Sequence, residues 1–117
     1  MRILVIDDDP MIRRMAGFIL KKKGYGYTEA GSGKEGLAIM KAELPTLTLI
    51  DVEMPDTNGF ETLEMIRSDE ALREARVCMM TGTITDEVSK RAEELGAVGC
   101  IEKPLDANAL YAVIDSI

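Results

Sequence analysis

Histidine is absent from this chain of 117 residues, and its absence excludes several classes of chemistry. No imidazole is present to act as a general base, to ligate a metal or to carry a phosphoryl group. Long apolar runs are also missing, so no stretch is long enough to span a bilayer, and no signal-peptide pattern precedes the first apolar run. We therefore expect a cytoplasmic protein without a membrane partner.

Basic residues are the minority among the charged side chains. The chain has 14 Lys and Arg against 21 Asp and Glu, which gives a net charge of −7. This balance argues against nucleic acid or an anionic membrane as the main partner. Cysteine is also scarce. Cys78 and Cys100 both stand in apolar, strand-like runs, which predicts reduced core residues.

Apolar residues make up 46% of the chain and recur in five short runs. The length predicts one domain over residues 1–117 with a single substantial core. Helical patterns separate the runs, and the connections are short. This alternation predicts an α/β fold, a doubly wound parallel sheet with helices on both faces. The predicted strands are Ile3–Ile6, Gly26–Glu29, Leu47–Ile50, Val77–Met80 and Gly99–Glu102.

The helices are predicted from apolar stripes and from capping residues. Asp9 followed by Pro10 is a typical helix start, and Asp106 is a candidate cap for the last helix. Pro45 is expected to stop the second helix. The stripe of the first helix is Ile12, Met15, Ala16, Ile19 and Leu20, and that of the second is Leu37, Met40 and Leu44.

Polar side chains follow four of the five predicted strands. Asp7 and Asp8 follow the first, Asp51 the third, Thr81 the fourth and Lys103 the fifth. Parallel strands end at the same edge of a sheet, where open α/β sheets bind ligands. Like charges about 4 Å apart repel by up to roughly 4 kcal/mol at an effective dielectric of about 20, so the acids need a cation.

The chemistry of these groups suits phosphoryl transfer. Two or three carboxylates with room for water form a Mg²⁺ (or Mn²⁺) site. Asp51 is placed to be a nucleophile that forms an aspartyl phosphate, while Lys103 and Thr81 can bind phosphoryl oxygens. Each residue alone has an ordinary structural explanation, such as a helix start or a loop entry. Their joint position at the strand ends favours the functional interpretation.

The same residues carry a resemblance over nearly the whole chain. The matching segments are Ile3–Pro10, Leu49–Pro55, Asn58–Glu61, Met80–Gly82, Gly96–Ala97 and Lys103–Pro104. Together they resemble the receiver domain of two-component response regulators. The resemblance implies a five-stranded, flavodoxin-like sheet of order 2-1-3-4-5.

By the same resemblance, Asp51 is the phosphoacceptor, and Thr81 and Lys103 are the hydroxyl and the lysine of the site. Mg²⁺ is expected on Asp7, Asp8, Asp51 and the backbone carbonyl of Glu53. The Lys103–Pro104 peptide is expected to be cis. One position departs from the family pattern, because Cys100 stands where the family usually places Tyr or Phe.

The resulting hypothesis is a phosphorylation-activated signalling switch that is not a turnover enzyme. A histidine kinase or phosphotransfer protein would phosphorylate Asp51, and the surface of helix 4, strand 5 and helix 5 would contact a downstream protein. Two alternatives are a Mg²⁺-dependent small-molecule phosphatase or phosphotransferase and a non-phosphorylated pseudo-receiver that acts as a binding module. The first would need a substrate pocket that a chain this short has little room to build. The complete set of site residues argues against the second.

Overall fold

A computed structural model describes residues 1–55 and 57–117, in which strands and helices alternate along the chain. All five predicted runs form strands. The strands are β1 (Arg2–Ile6), β2 (Gly26–Ala30), β3 (Leu47–Asp51), β4 (Val77–Thr81) and β5 (Gly99–Glu102). The helices are α1 (Pro10–Lys22), α2 (Gly33–Glu43), α3 (Gly59–Ser68), α4 (Asp86–Glu94) and α5 (Ala107–Asp115).

The strands form one parallel sheet in the order β2-β1-β3-β4-β5, which confirms the predicted fold. Four strand boundaries differ from the prediction by one residue, because β1 begins at Arg2 and β2, β3 and β4 end at Ala30, Asp51 and Thr81. Asp51 pairs with Met80, and Thr81 pairs with Glu102, so both polar residues are the last residues of their strands and do not follow them. The ladder therefore fixes their backbones, and with them the direction in which each side chain leaves the sheet.

A polar side chain caps the N-terminus of each helix. Asp9 accepts a hydrogen bond from the Met11 amide, with Pro10 at the first helical position, and Asp106 accepts one from the Ala109 amide. Both predicted caps are confirmed. Ser32, Asn58 and Thr85 cap α2, α3 and α4 in the same way. Each cap satisfies an amide that the helix itself leaves without a partner.

The core lies in two layers, one on each face of the sheet. Helices α1 and α5 cover one face, where Leu20 and Ile114 pack against Val5 and Leu49. Helices α2, α3 and α4 cover the other face. Strands β1, β3 and β4 are buried on both sides, which explains why their sequences are nearly continuous apolar runs. None of the described helices combines the length and apolar character needed to cross a membrane.

For two residues of the predicted apolar stripes the prediction is wrong, because their side chains are exposed. Leu44 lies beyond α2 as its C-cap, in a left-handed conformation with φ 49°, and its side chain is 65% exposed. Met15 lies within α1, but it is also exposed, because the buried arc of that helix passes through Ala16 and Leu20. The two cysteines are unpaired, as predicted, although Cys78 is buried and Cys100 is half-buried.

Candidate functional site

Three carboxylates meet at the C-terminal edge of the sheet. Asp7 follows β1 and is fully buried, Asp51 ends β3 and is almost fully buried, and Asp8 is exposed. One carboxylate oxygen from each of the three lies within 4.8 Å of the others. The Asp7 side chain is held in place, because its Oδ1 accepts a hydrogen bond of 2.9 Å from the Asp9 amide. The predicted convergence of these acids is therefore a feature of the structure.

Lys103 brings a positive charge into the acidic cluster from the end of β5. Its Nζ lies 2.9 Å from Asp51 Oδ1 and 3.5 Å from Asp7 Oδ2. The backbone supports this position, since the Lys103 amide donates to the Thr81 carbonyl at 2.8 Å. The Lys103–Pro104 peptide is cis, as expected. One ammonium group thus contacts two of the three carboxylates.

The ionisation of the cluster reflects burial and mutual repulsion. Burial and, to a smaller extent, the charge of Asp7 raise the pKa of Asp51 to about 7 against the opposing effect of Lys103. Burial also raises the pKa of Asp7. Burial alone would lower the pKa of Lys103, but its contacts with Asp51 and Asp7 outweigh that effect and raise it. Lys103 therefore stays charged, yet it does not fully offset the acids.

The Thr81 hydroxyl at the end of β4 is engaged by the Glu53 side chain. Its Oγ1 lies 2.8 Å from Glu53 Oε1 and 3.2 Å from the Thr83 carbonyl oxygen. Burial alone would raise the pKa of Glu53, but the hydrogen bond from Thr81, the hydrogen bonds with Asp51 and the backbone, and the charge of Lys103 together outweigh burial and lower that pKa. The sequence predicts a role for the Glu53 backbone carbonyl, but it holds no local signal for this carboxylate contact, which joins residues far apart in the chain.

Two further residues, for which no role is predicted from the sequence, support the site. A Cβ on Gly59, the first residue of α3, would lie 2.3 Å from the Asp51 carbonyl oxygen, so the start of α3 presses directly on the backbone of Asp51. Arg13 of α1 donates to the Asp7 carbonyl at 2.7 Å and pairs with Glu29 at 3.0 Å. The Asn58-Gly59 pair at the start of α3 is the sequence signal for the close approach of Gly59 to Asp51. No local sequence signal marks the contact of Arg13 with Asp7.

Comparison with known protein families identifies the family of this chain. The family model for the response regulator receiver domain matches residues 3–115, nearly the whole chain. The chain belongs to this family. Receiver domains of response regulators are phosphorylation-controlled signalling modules of two-component systems, not classical enzymes. They typically bind Mg²⁺ at an acidic cluster, and Asp7, Asp8 and Asp51 form the candidate group in this receiver domain.

Curated relatives include larger regulatory proteins. The receiver domain is 31% identical over 113 residues to the transcriptional regulatory protein GlrR of Escherichia coli (strain K12), a match that covers 97% of this chain and 25% of that protein. Across the first four curated relatives, the chain spans between 25% and 56% of their length.

Solved structures agree with the family and the fold. The chemotaxis protein CheY4 of Vibrio cholerae superimposes with a TM-score of 0.92 at 27% identity, covering 99% of this chain and 97% of that one. A CheY-like receiver domain protein from Methanospirillum hungatei JF-1 gives a TM-score of 0.87 at 33% identity, covering 98% and 90% of the two chains. The fold of the receiver domain is therefore that of CheY-like proteins.

Proposed function

We propose that Asp51 accepts a phosphoryl group from a phosphohistidine on a histidine kinase or phosphotransfer protein in a Mg²⁺-dependent reaction. In this step the N–P bond of phosphohistidine breaks, and a P–O bond forms between phosphorus and a carboxylate oxygen of Asp51. The leaving imidazole nitrogen keeps the electron pair of the broken bond. Later attack by water on the aspartyl phosphate returns the Asp51 carboxylate and inorganic phosphate, which resets the switch.

The observation that carries this proposal is the contact of Asp51 Oδ1 with Lys103 Nζ at 2.9 Å. The same ammonium group that neutralises the carboxylate can pair with a phosphoryl oxygen once Asp51 is modified. Thr81 ends the neighbouring strand β4, where its hydroxyl can donate to a second phosphoryl oxygen after it leaves Glu53. A nucleophile and two groups that stabilise the transferred charge therefore come from three adjacent strand ends.

The acidic cluster fits a divalent cation. Its donor set is three hard carboxylate oxygens, close together and with raised pKa values at Asp7 and Asp51, which is the environment that a hard cation stabilises. Asp7, Asp8 and Asp51 would hold the ion, together with the Glu53 backbone carbonyl. A bound Mg²⁺ or Mn²⁺ would supply positive charge that keeps Asp51 ionised and offsets the charge of an incoming phosphoryl group.

The partners proposed for this domain are proteins. The phosphodonor would be a histidine kinase or phosphotransfer protein in the cytoplasm, where the free thiols of Cys78 and Cys100 stay reduced. The downstream partner would contact the surface formed by α4, β5 and α5. Some of the curated relatives are transcriptional regulators, and these relatives have functions beyond their receiver domains. Direct binding of nucleic acid by the present residues is not proposed, since their net charge is −7.

The test is chemical phosphorylation by phosphoramidate with Mg²⁺, followed by intact mass measurement. We expect the mass increase of one phosphoryl group, stable in acid and lost at alkaline pH, as for an acyl phosphate. Asp51→Asn should gain none. The matched control is Asp115→Asn at the far end of α5, which should be labelled like the parent.

Two results would overturn the assignment. Undiminished labelling of Asp51→Asn would place the phosphoryl group elsewhere. Rapid turnover of a small phosphate ester, dependent on Asp51 and Mg²⁺, would favour the phosphatase alternative instead.

A further inference from the structure

A surface cavity of about 300 Å³ lies between α4 and β5. Its walls are built mostly from small side chains, and one apolar side chain from the β4–α4 connection stands at its rim. The lining residues are Ile84, Ser89, Ala92, Glu93, Ala97, Gly99 and Cys100. Ile84 is 36% exposed, and Cys100 is half-buried at the cavity wall. The cavity has room for an aliphatic side chain, and Ile84 is a candidate already beside it.

Helix α4, which forms one wall, is loosely held at its N-terminal end. Within Asp86–Glu94, all of which is described, Ala92 is the one buried residue. A second groove, of about 560 Å³, separates α4 from α3 on its other side. The C-terminal end is anchored, because Arg67 of α3 donates to the carbonyls of Leu95 and Gly96 at 2.8 and 3.0 Å. The N-terminal end and its connection to β4 are therefore the part with space to move.

The connection also joins the cavity to the phosphoacceptor site. The Thr81 hydroxyl contacts both Glu53 Oε1 and the Thr83 carbonyl, and the Thr83 amide faces the same hydroxyl at 3.4 Å. Ile84 follows Thr83 directly. A Cβ on Gly82 would meet nothing within 4 Å, so the space beside Gly82 in this connection is open. A shift of the Thr81 hydroxyl toward Asp51 would thus displace Thr83 and, with it, Ile84.

We propose that Ile84 moves into the cavity beside Cys100 when Thr81 turns toward a phosphoryl group on Asp51. The small side chain of Cys100 then contributes to the switch, because it leaves open the volume that Ile84 enters. Burial of an exposed isoleucine would favour the switched state, and the α4–β5 surface would lose one apolar side chain. This inference rests on the proposed function, since it needs phosphorylation of Asp51 to move Thr81.

The rate of alkylation of Cys100 by iodoacetamide reports the position of Ile84. Cys78 is an internal control, since it is buried and burial raises the pKa of its thiol to about 12, so it should react very slowly in both states. The protein is treated with phosphoramidate and Mg²⁺, then with iodoacetamide. Intact mass measurement follows alkylation separately in molecules with and without a phosphoryl group.

We expect phosphorylation of the parent to slow Cys100 alkylation by about tenfold or more, because Ile84 covers the thiol. Ile84→Ala should remove the slowing, and Ile84→Val should keep part of it. The matched control is Val98→Ala, since Val98 is 40% exposed but is not among the residues lining this cavity. Equal or faster alkylation of phosphorylated parent molecules would overturn the inference while leaving the proposed function standing. Failure of the parent to gain a phosphoryl group would overturn both.

A second measurement does not depend on thiol chemistry or on the alanine variant. In the parent, nuclear Overhauser effects between the Ile84 methyl groups and the Cys100 Hβ protons should strengthen on phosphorylation. Unchanged effects, with phosphorylation complete, would contradict the movement of Ile84 into the cavity.

Discussion

The Lys103 ammonium lies 2.9 Å from Asp51 Oδ1 and 3.5 Å from Asp7 Oδ2, so one cation directly after β5 contacts the acid that ends β3 and the acid that follows β1. Asp8 contributes a third carboxylate to the same cluster. Three negative charges therefore face one positive charge, and the cluster keeps a net negative charge when all four groups are ionised. Folding brings these charges together without a complete balance, and this imbalance governs how the domain should respond to metal ions.

Mg²⁺ should stabilise the protein, because a ligand at 100 times its dissociation constant that binds only the folded state adds about 2.7 kcal/mol. Asp8→Asn should raise the melting temperature in chelator, since it relieves repulsion, and it should reduce the rise produced by Mg²⁺. Thermal melts with and without Mg²⁺ measure both effects. Asp115→Asn, outside the cluster, should respond to Mg²⁺ like the parent. A lower melting temperature for Asp8→Asn with an unchanged Mg²⁺ response would contradict the clustering argument.

Thr81→Ala should separate phosphorylation from its structural consequence. The variant keeps Asp51, Lys103 and the acids, so phosphoramidate should still label it, although more slowly. The hydroxyl that links Glu53 to Thr83 is lost, and amide chemical-shift changes on phosphorylation should no longer reach residues 83–95. Thr81→Ser keeps the hydroxyl and serves as the control. Undiminished shifts across residues 83–95 in Thr81→Ala would show that the signal takes another route.

Arg67→Lys should destabilise the domain although it conserves charge. The Arg67 guanidinium donates to four backbone carbonyls, those of Arg73, Ala75, Leu95 and Gly96, at 2.7–3.0 Å. A single ammonium group cannot reproduce this planar set of donors. We expect a loss of about 2–3 kcal/mol in the free energy of unfolding, measured in urea. Arg73→Lys, at an exposed site, should be nearly neutral; an equal loss in both variants would refute the explanation.

Gly59→Ala should be destabilising because the new methyl group meets backbone atoms. The added Cβ would lie 2.3 Å from the Asp51 carbonyl oxygen, and the end of β3 cannot move aside without breaking the ladder. We expect a loss of about 1–3 kcal/mol by urea unfolding, together with slower phosphorylation of Asp51. Gly82→Ala is the matched control for stability, since its Cβ would meet nothing within 4 Å. Similar stability of both variants would show that α3 does not press on Asp51.

The amino-acid sequence by itself determined the elements and the edge of the sheet where the chemistry lies. Nearly continuous apolar runs predict strands buried on both faces, and Asp9 with Pro10 predicts the start of α1. Both signals depend only on neighbouring residues in the chain, so the folded protein has the strands and the helix start that they predict. Because parallel strands end at one edge, the sequence also predicts that Asp7, Asp51, Thr81 and Lys103 lie together.

Only the tertiary structure decided which side chains contact each other across the sheet and which stripe residues are buried. The contact of Thr81 with Glu53, like that of Arg67 with Leu95, joins elements whose distance is set by packing and not by spacing along the chain. Met15 fits an apolar stripe yet is exposed, because burial depends on what covers a helix as well as on the period of its sequence. Cys100 illustrates both halves: the sequence reveals a small residue, but only the folded structure shows the cavity between α4 and β5 that Cys100 lines together with Ala92 and Ala97.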